Sequence, residues 1–412
     1  MTPSPQPQPV ESNPFEAIMY MMAKPVGAKC NMRCAYCYYL EKDADAPSGE
    51  RTRMSDATLE RFISSYIEAT TTPEVIFTWH GGEAAMAPLS FYQKAQELQQ
   101  RYAHGRRIIN CLQTNGTLLT DAWCRFLKRN DWLVGVSIDG PQSQHDCYRL
   151  SATGKPTFQS VMRSIHLLQH YGVEWNAMAV ISRANVDQPD EFYRFFKSIG
   201  CQYLQFTPIV ERRRPDGRLA AVDEQGVLTD ESITPQQWGR FLCRLFDIWV
   251  KEDVGNFFVQ IFDATLARHY GVSPGVCSMA TVCGHAGVVD YNGDVYSCDH
   301  FVFPAYRIGN IHHNSIIELM SQERQFAFGQ AKRDSLPDQC RQCRHTMICN
   351  GECPKNRFSH TADGQPGLNY LCEGYRAFFD HTEPHMRFMV NQLRRGLPPA
   401  DIMRTPIEID GD

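Results

Sequence analysis

The sequence predicts an α/β fold: an open partial (β/α)6, TIM-like barrel followed by a C-terminal cysteine-rich domain. Three observations carry this. Six strand-length apolar runs alternate with helix-period segments through the first half of the chain, a pattern that implies a parallel sheet. Six such units fall short of the eight that close a barrel. Eight of the sixteen cysteines crowd between Cys277 and Cys372.

The elements follow in order. Ile18 to Pro25 is an apolar run leading into a loop with three cysteines. From Ser55, a good N-cap, the residues Leu59, Phe62, Ile63, Tyr66 and Ile67 recur at helical spacing. Glu74 to His80 reads as a strand that ends at Gly81-Gly82-Glu83, and a helix runs from about Ser90 to Arg101. Ile108 to Gln113 is the third strand, closed by Thr114-Asn115-Gly116, with a helix capped at Thr120 or Asp121. Leu133 to Ile138 ends at Asp139-Gly140-Pro141. Thr157 starts a helix with Phe158, Val161, Met162, Ile165 and Leu168 on one face, stopped by Gly172. Strands at Trp175 to Ile181 and Tyr203 to Ile209, with a helix at Pro189 to Ser198 between them, complete the series. Ligands bind at the carboxyl ends of strands in such sheets, which is where the first cysteines, Gly81 to Glu83 and Ser137 fall.

A length of 412 residues suggests about two domains. The expected division is a disordered Pro-rich tail at 1–15, the barrel at 16–235, the cysteine-rich domain at 236–385, and a helix end and tail at 386–412. Hydrophobic residues make up 43% of the chain, enough for packed cores. The net charge of −5 gives no sign of nucleic acid or an anionic membrane as partner. No apolar run reaches the roughly 18 residues of a spanning helix. The N-terminus lacks the basic start and apolar middle of a secretory signal. Sixteen cysteines without an export signal read as metal ligands in a reducing cytoplasm rather than as disulfides.

Cys111, Cys124, Cys147, Cys201 and Cys243 are isolated and read as small buried side chains. The other eleven divide into three near the N-terminus and eight that can make two sets of four. Cys30, Cys34 and Cys37, spaced Cys-x3-Cys-x2-Cys, can face one point from a short loop. Iron–sulfur clusters are held by cysteine thiolates, four per cluster, so three ligands leave one iron open. Zinc uses the same ligand type, and a zinc site is the alternative at each place. In the C-terminal region, Asn292-Gly293 between Val288–Tyr291 and Asp294–Ser297 is a strong hairpin signal of type I′. That turn would set Gly287 opposite Cys298 and bring Cys283 near the same end.

The Cys30–Cys37 loop resembles the signature of radical S-adenosylmethionine enzymes, and His80-Gly81-Gly82-Glu83 resembles their glycine–glycine–glutamate motif. The resemblance implies that Gly81, Gly82 and Glu83 meet the methionyl end of S-adenosylmethionine. It places Tyr36 against the adenine, and Ser137 and Arg149 near the ribose and carboxylate. Val210 stands at a cofactor-contacting position, and Tyr39 and His80 lie near the substrate. The eight later cysteines resemble the SPASM auxiliary-cluster extension. By that resemblance Cys277, Cys283, Cys298 and Cys353 hold one 4Fe–4S cluster, and Cys340, Cys343, Cys349 and Cys372 another, three clusters in all.

YSCDHF around Cys298, LQTNGTL at Leu112 to Leu118, VGVSIDGP at Val134 to Pro141 and YLQF at Tyr203 to Phe206 narrow the resemblance to anaerobic sulfatase-maturating enzymes. It runs from about Lys24 to Phe379. It implies oxidation of a Cys or Ser of an unfolded sulfatase, in a Cys/Ser-x-Pro-x-Arg segment, to Cα-formylglycine. It further implies a flavodoxin- or ferredoxin-type reductant, a monomer, and Asp299 as the base that takes the substrate proton. The alternatives are another radical peptide modifier, forming thioethers or epimerising, and a non-catalytic zinc protein.

Overall fold

The computed structural model describes residues 20–39, 53–221 and 224–405. The expected tail at 1–15, the first residues of the run from Ile18, and residues 406–412 lie outside the described residues. The first half is β1 (Tyr20–Lys24), α1 (Asp56–Ala69), β2 (Glu74–Trp79), α2 (Leu89–Tyr102), β3 (Arg107–Thr114), α3 (Asp121–Arg129), β4 (Leu133–Ser137), α4 (Gln142–Tyr148), α5 (Phe158–Tyr171), β5 (Trp175–Ile181), α6 (Pro189–Ser198) and β6 (Tyr203–Pro208). The six strands are parallel neighbours in sequence order. Ser55 caps α1 by accepting from Thr58 N at 3.1 Å, and Gly172 ends α5 in the left-handed region at φ 64°.

The sheet does not stop at residue 235. β7 (Arg212–Arg213) and β8 (Val227–Leu228) form a small ribbon of their own. After α7 (Pro235–Glu252), β9 (Phe258–Val259) adds beside β6, and α8 (Gln260–Tyr270) follows. β10 (Ala286–Asp290) then pairs parallel with β1, placing Lys24 opposite Asp290. β11 (Asp294–Tyr296) and β12 (Arg307–Asn310) extend that edge antiparallel. One ten-stranded sheet results, ordered β12-β11-β10-β1-β2-β3-β4-β5-β6-β9. The cysteine-rich hairpin is therefore bonded to the first barrel strand.

The hairpin register differs from the expectation. Val288 pairs with Tyr296 and Val289 with Val295, which puts Gly287 opposite Ser297 and Ala286 opposite Cys298. Of the turn residues only Gly293 has positive φ, at 87°, whereas type I′ needs two such residues. The loop is a three-residue one with Gly293 left-handed, and the strand slips by one.

The core is dominated by aromatics behind the sheet. Trp79, fully buried, has the rings of Phe62, Phe77, Phe91, Tyr92 and Trp132 around it at 5.7 to 6.3 Å between centroids. Such contacts anchor β2, and its end carries His80 to Glu83. The remaining helices are α9 (Ile316–Met320), α10 (Glu323–Asp334), α11 (Asp338–Arg341), α12 (Thr346–Cys349) and α13 (Cys372–Arg394). α13 crosses α7 closely: a Cβ on Gly374 would lie 2.3 Å from the Pro235 carbonyl oxygen. That close approach fixes Cys372 at the start of α13 against the barrel.

The isolated cysteines divide. Cys124 and Cys201 are buried, Cys111 and Cys243 are partly so, and Cys147 is exposed. Cys147 lies on α4, a short helix that the periodicity of the sequence did not announce, so its expected burial does not hold.

Candidate active site

The loop after β1 carries Cys30, Cys34 and Cys37. It is tied to the stretch after α4 by Arg33 N donating to Leu150 O at 2.8 Å and Ala35 N donating to Tyr148 O at 3.1 Å. The three thiols lie within reach of one another's charge. Burial pushes Cys30 up to about 11 and Cys34 up to about 12, with Arg149 pulling both the other way. All sixteen cysteines are free of disulfides. Thiols this hard to ionise become ligands only where a metal stabilises the thiolate.

Gly81, Gly82 and Glu83 lie directly against this loop. Gly82 N donates to Gly27 O at 2.8 Å and Glu83 N donates to Lys29 O at 2.9 Å. A Cβ on Gly82 would sit 2.2 Å from Lys29 O, and Gly81 has φ 135° with Gly27 O 2.9 Å from its would-be Cβ. The glycines are required for this close approach of two backbones. The buried Glu83 carboxylate accepts from Ala85 N at 2.9 Å, Thr114 Oγ1 at 2.6 Å and Asn115 N at 2.6 Å. It thereby clamps the ends of β2 and β3 together. Ser137, at the end of β4, accepts from Gln113 Nε2 at 3.0 Å. Val210, just past β6, is buried.

Tyr36 and Arg149 meet on a residue absent from the expected site. Tyr36 donates to Asp139 Oδ2. Arg149 Nη1 donates to the Tyr36 hydroxyl at 2.9 Å and stands 3.8 Å from Asp139 Oδ1. All three are buried. Asp139 belongs to the Asp-Gly-Pro that ends the fourth strand, but nothing in the sequence set its carboxylate apart from a turn residue.

Asp299, one residue past Cys298, points toward the end of β1. Lys24 Nζ is 2.6 Å from Asp299 Oδ1, with the Lys24 side chain fully buried. Tyr38 donates to Asp299 Oδ2 at 2.9 Å. Burial pushes the Asp299 carboxyl up, but the Lys24 ammonium overrides this and holds it well below the usual carboxylate range. Lys24 Nζ also lies 3.9 Å over the Tyr39 ring. His80 accepts from Gly81 N at its Nδ1, 2.7 Å away. Burial lowers His80 to about 4, so its ring is neutral with the proton on Nε2. Tyr39, His80 and Asp299 thus gather with Lys24 around one point beside the first cysteine loop.

The later cysteines fall into two groups. Cys277, Cys283, Cys298 and Cys353 feel one another's charge. So do Cys340, Cys343, Cys349 and Cys372. Cys353, near Cys349 in sequence, faces the other group, and His300 Nδ1 lies 3.5 Å from its Sγ. Burial pushes Cys353 up to about 12 and Cys372 up to about 11. The second group lines a cavity of about 460 Å³. Among the described residues no three His, Cys, Asp or Glu side chains close on one point as a single ion needs. All-thiol donors fit a multi-iron cluster in ligand type, and the cavity lined by the second group fits one in room as well.

A family model described as the radical SAM superfamily matches residues 25–196, and one described as an iron–sulfur cluster-binding SPASM domain matches residues 281–344. A serine-type anaerobic sulfatase-maturating enzyme of Bacteroides thetaiotaomicron is 59% identical over 95% of this chain and 96% of its own length. The chain belongs to the anaerobic sulfatase-maturating enzymes. A cysteine-type sulfatase-maturating enzyme of Clostridium perfringens is 30% identical over 91% of this chain and 99% of its own. A solved structure, native anSMEcpe with bound AdoMet and the Cp18Cys peptide, superposes at TM-score 0.81, with 30% identity over 91% of this chain and 99% of that one.

Within this sulfatase-maturating enzyme, sequence reasoning missed Lys24, Asp139 and His300. Lys24 ends an apolar strand, where a lone lysine reads as the point at which the chain reaches solvent. Its burial was detectable only through the parallel pairing of β1 with β10. Among the described residues no helix is long and apolar enough to cross a membrane.

Proposed function

We propose that this enzyme oxidises the target serine of an unfolded sulfatase, in a Ser-x-Pro-x-Arg type segment, to Cα-formylglycine. The 59% identity to a serine-type relative, against 30% to a cysteine-type one, supports serine. The reaction removes a hydrogen atom from Cβ, then a proton from the side-chain oxygen and one electron, leaving a carbonyl. When bound, S-adenosylmethionine and three 4Fe–4S clusters supply the abstracting 5′-deoxyadenosyl radical and an acceptor for that electron. Cys30, Cys34 and Cys37 would hold the first cluster, and the two groups of four the others.

One observation carries the roles of the chain's own residues. The Asp299 carboxylate is held ionised at a fixed point, with Lys24 Nζ 2.6 Å from Oδ1 and Tyr38 donating to Oδ2 at 2.9 Å. An ionised carboxylate held in this way can accept a proton from a substrate hydroxyl brought within hydrogen-bond reach. Asp299 takes the hydroxyl proton, and Lys24 and Tyr38 hold it in place. His80, neutral with Nε2–H outward, donates to the peptide. Tyr36, Asp139 and Arg149 form the buried floor under the adenine and carboxylate of S-adenosylmethionine. Gly81, Gly82 and Ser137 border its methionyl and ribose ends, and Val210 packs against it. A flavodoxin- or ferredoxin-type carrier supplies electrons to a cytoplasmic monomer.

The test uses reconstituted enzyme, S-adenosylmethionine, and twin peptides differing only in Ser or Cys at the target. Loss of two hydrogens from the serine peptide, faster than from its twin, is the expected outcome. Modification of the cysteine twin alone overturns the serine assignment. Modification of neither overturns the function.

A further inference from the structure

Two cations are packed against the loops that carry the C-terminal thiols. Lys332, on α10, is 1% exposed. Its Nζ donates to the carbonyls of Cys277 at 2.7 Å and Ser278 at 2.6 Å, and to that of Ala280. All three of its hydrogens are thus spent on the loop between Cys277 and Cys283. Gly329 makes this possible, because a Cβ there would lie 2.5 Å from Cys283 O. Arg357 is wrapped by the loop between Cys349 and Cys353. Its guanidinium donates to Gly351 O at 2.8 Å, Asn350 O at 2.6 Å and Glu352 O at 3.0 Å. It also donates to Lys332 O, so the two cations form one chain.

Among the described residues neither cation has a carboxylate within ion-pair distance. The acid that interacts with both is Glu352, buried in the same loop, whose Oε2 accepts from Cys353 N at 3.0 Å. A charge taken out of water without a partner is costly. The groups that face these cations are thiols and, beyond ion-pair distance, the single Glu352 carboxylate, which both cations share. Lys332 acts on Cys277, Cys283 and Cys353, and Arg357 acts on Cys283 and Cys353 of one group and on Cys340 and Cys349 of the other. Arg357 alone of the two faces both groups.

We infer that Lys332 and Arg357 are the fixed counter-charges of the two auxiliary clusters and set their reduction potentials, Arg357 for both and Lys332 for the one that Cys298 holds. This rests on the ligand assignment above. Cluster potential follows net charge and surrounding charge, so a buried cation favours the reduced, more negative state. The effect is functional: one electron leaves the substrate as its Cβ–O bond becomes a carbonyl, and an acceptor beside Asp299 must be positive enough in potential to receive it. The residues act through the clusters and touch no reacting atom, so they are positioning residues.

The experiment is reductive titration of the full-length, reconstituted enzyme, followed by electron paramagnetic resonance, with iron counted on each preparation. Wild type should hold about twelve irons; a count near four overturns the ligand assignment itself. With full iron, Lys332→Met should move one auxiliary midpoint to lower potential, and Arg357→Gln should move two. Arg357→Lys, which keeps the charge, should restore most of the shift. Full iron with unmoved midpoints overturns the inference, and so does an Arg357→Gln shift confined to one cluster. Should Lys332→Met lose iron, Lys332→Arg decides: wild-type midpoints support the charge role, and a lowered midpoint overturns it.

Discussion

Lys24 Nζ stands 2.6 Å from Asp299 Oδ1, joining the last residue of the first barrel strand to the residue that follows a C-terminal thiol. Parallel pairing of β1 with β10 makes the contact possible. Lys24→Met should leave S-adenosylmethionine cleavage intact while product falls by ~10–10²-fold. That is the span expected when a charge-assisted contact of about 1.5–3 kcal/mol is lost. Deoxyadenosine and formylglycine measured together check it; an unchanged ratio removes Lys24 from the reaction.

His80 is lowered to about 4 by burial, so it stays neutral through the working range. A group with a lowered pKa gives no acid limb above that pKa. Formylglycine per deoxyadenosine should therefore show no limb near 6.5, the free imidazole value. His80→Gln keeps a neutral N–H donor and should retain more product than His80→Ala. A limb between pH 6 and 7 that vanishes in His80→Gln would show the ring titrating during turnover.

Gly82→Ala brings a methyl group to 2.2 Å from Lys29 O and 2.3 Å from Ala28 O. Both are backbone atoms and neither can swing aside, so the loop that presents Cys30 must shift. The expected result is loss of the first cluster, about four irons, with the auxiliary clusters retained. Full iron and normal cleavage would mean that the loop yields freely.

Replacing Cys30, Cys34 and Cys37 together with Ala should abolish reductive cleavage of S-adenosylmethionine. The auxiliary clusters should persist, because their thiols lie in another part of the chain. Deoxyadenosine formation at the wild-type rate would displace the cofactor from this loop.

The barrel was legible because strand-length apolar-rich runs alternate with segments of helical period; α6 and β5 fall where the pattern put them. The thiol groups were legible because ligands with fixed spacing need no tertiary knowledge to be noticed. The hairpin register was not, since Asn292-Gly293 can serve a two- or a three-residue loop and a single φ decides which. Lys24, Asp139 and His300 escaped for a common reason. Each acquires its role from a partner distant in the chain: Lys24 from Asp299, Asp139 from Tyr36 and Arg149, His300 from Cys353. Lys332 and Arg357 read as ordinary helix and loop charges until the structure wraps carbonyls around them.

Asp299→Asn is the sharpest test of the site. The change is nearly isosteric, keeps a side-chain acceptor for Tyr38, and removes the group proposed to take the proton. Cleavage of S-adenosylmethionine is assigned to the Cys30–Cys37 loop in the proposed mechanism and should continue. Formylglycine should fall by ~10²–10⁴-fold, the usual span for a positioned general base. Deuterium from a Cβ-labelled peptide should still appear in deoxyadenosine, since abstraction precedes the missing step. If Asp299 instead only braces the loop of Cys298, iron should be lost and both activities should decline together. The ion pair with Lys24 sharpens the distinction, because Asn leaves the Lys24 ammonium buried without its counter-charge. The double variant Lys24→Met with Asp299→Asn removes that cost. It should recover stability relative to Asp299→Asn without recovering formylglycine. Normal product yield from Asp299→Asn at full iron would sink the general-base role.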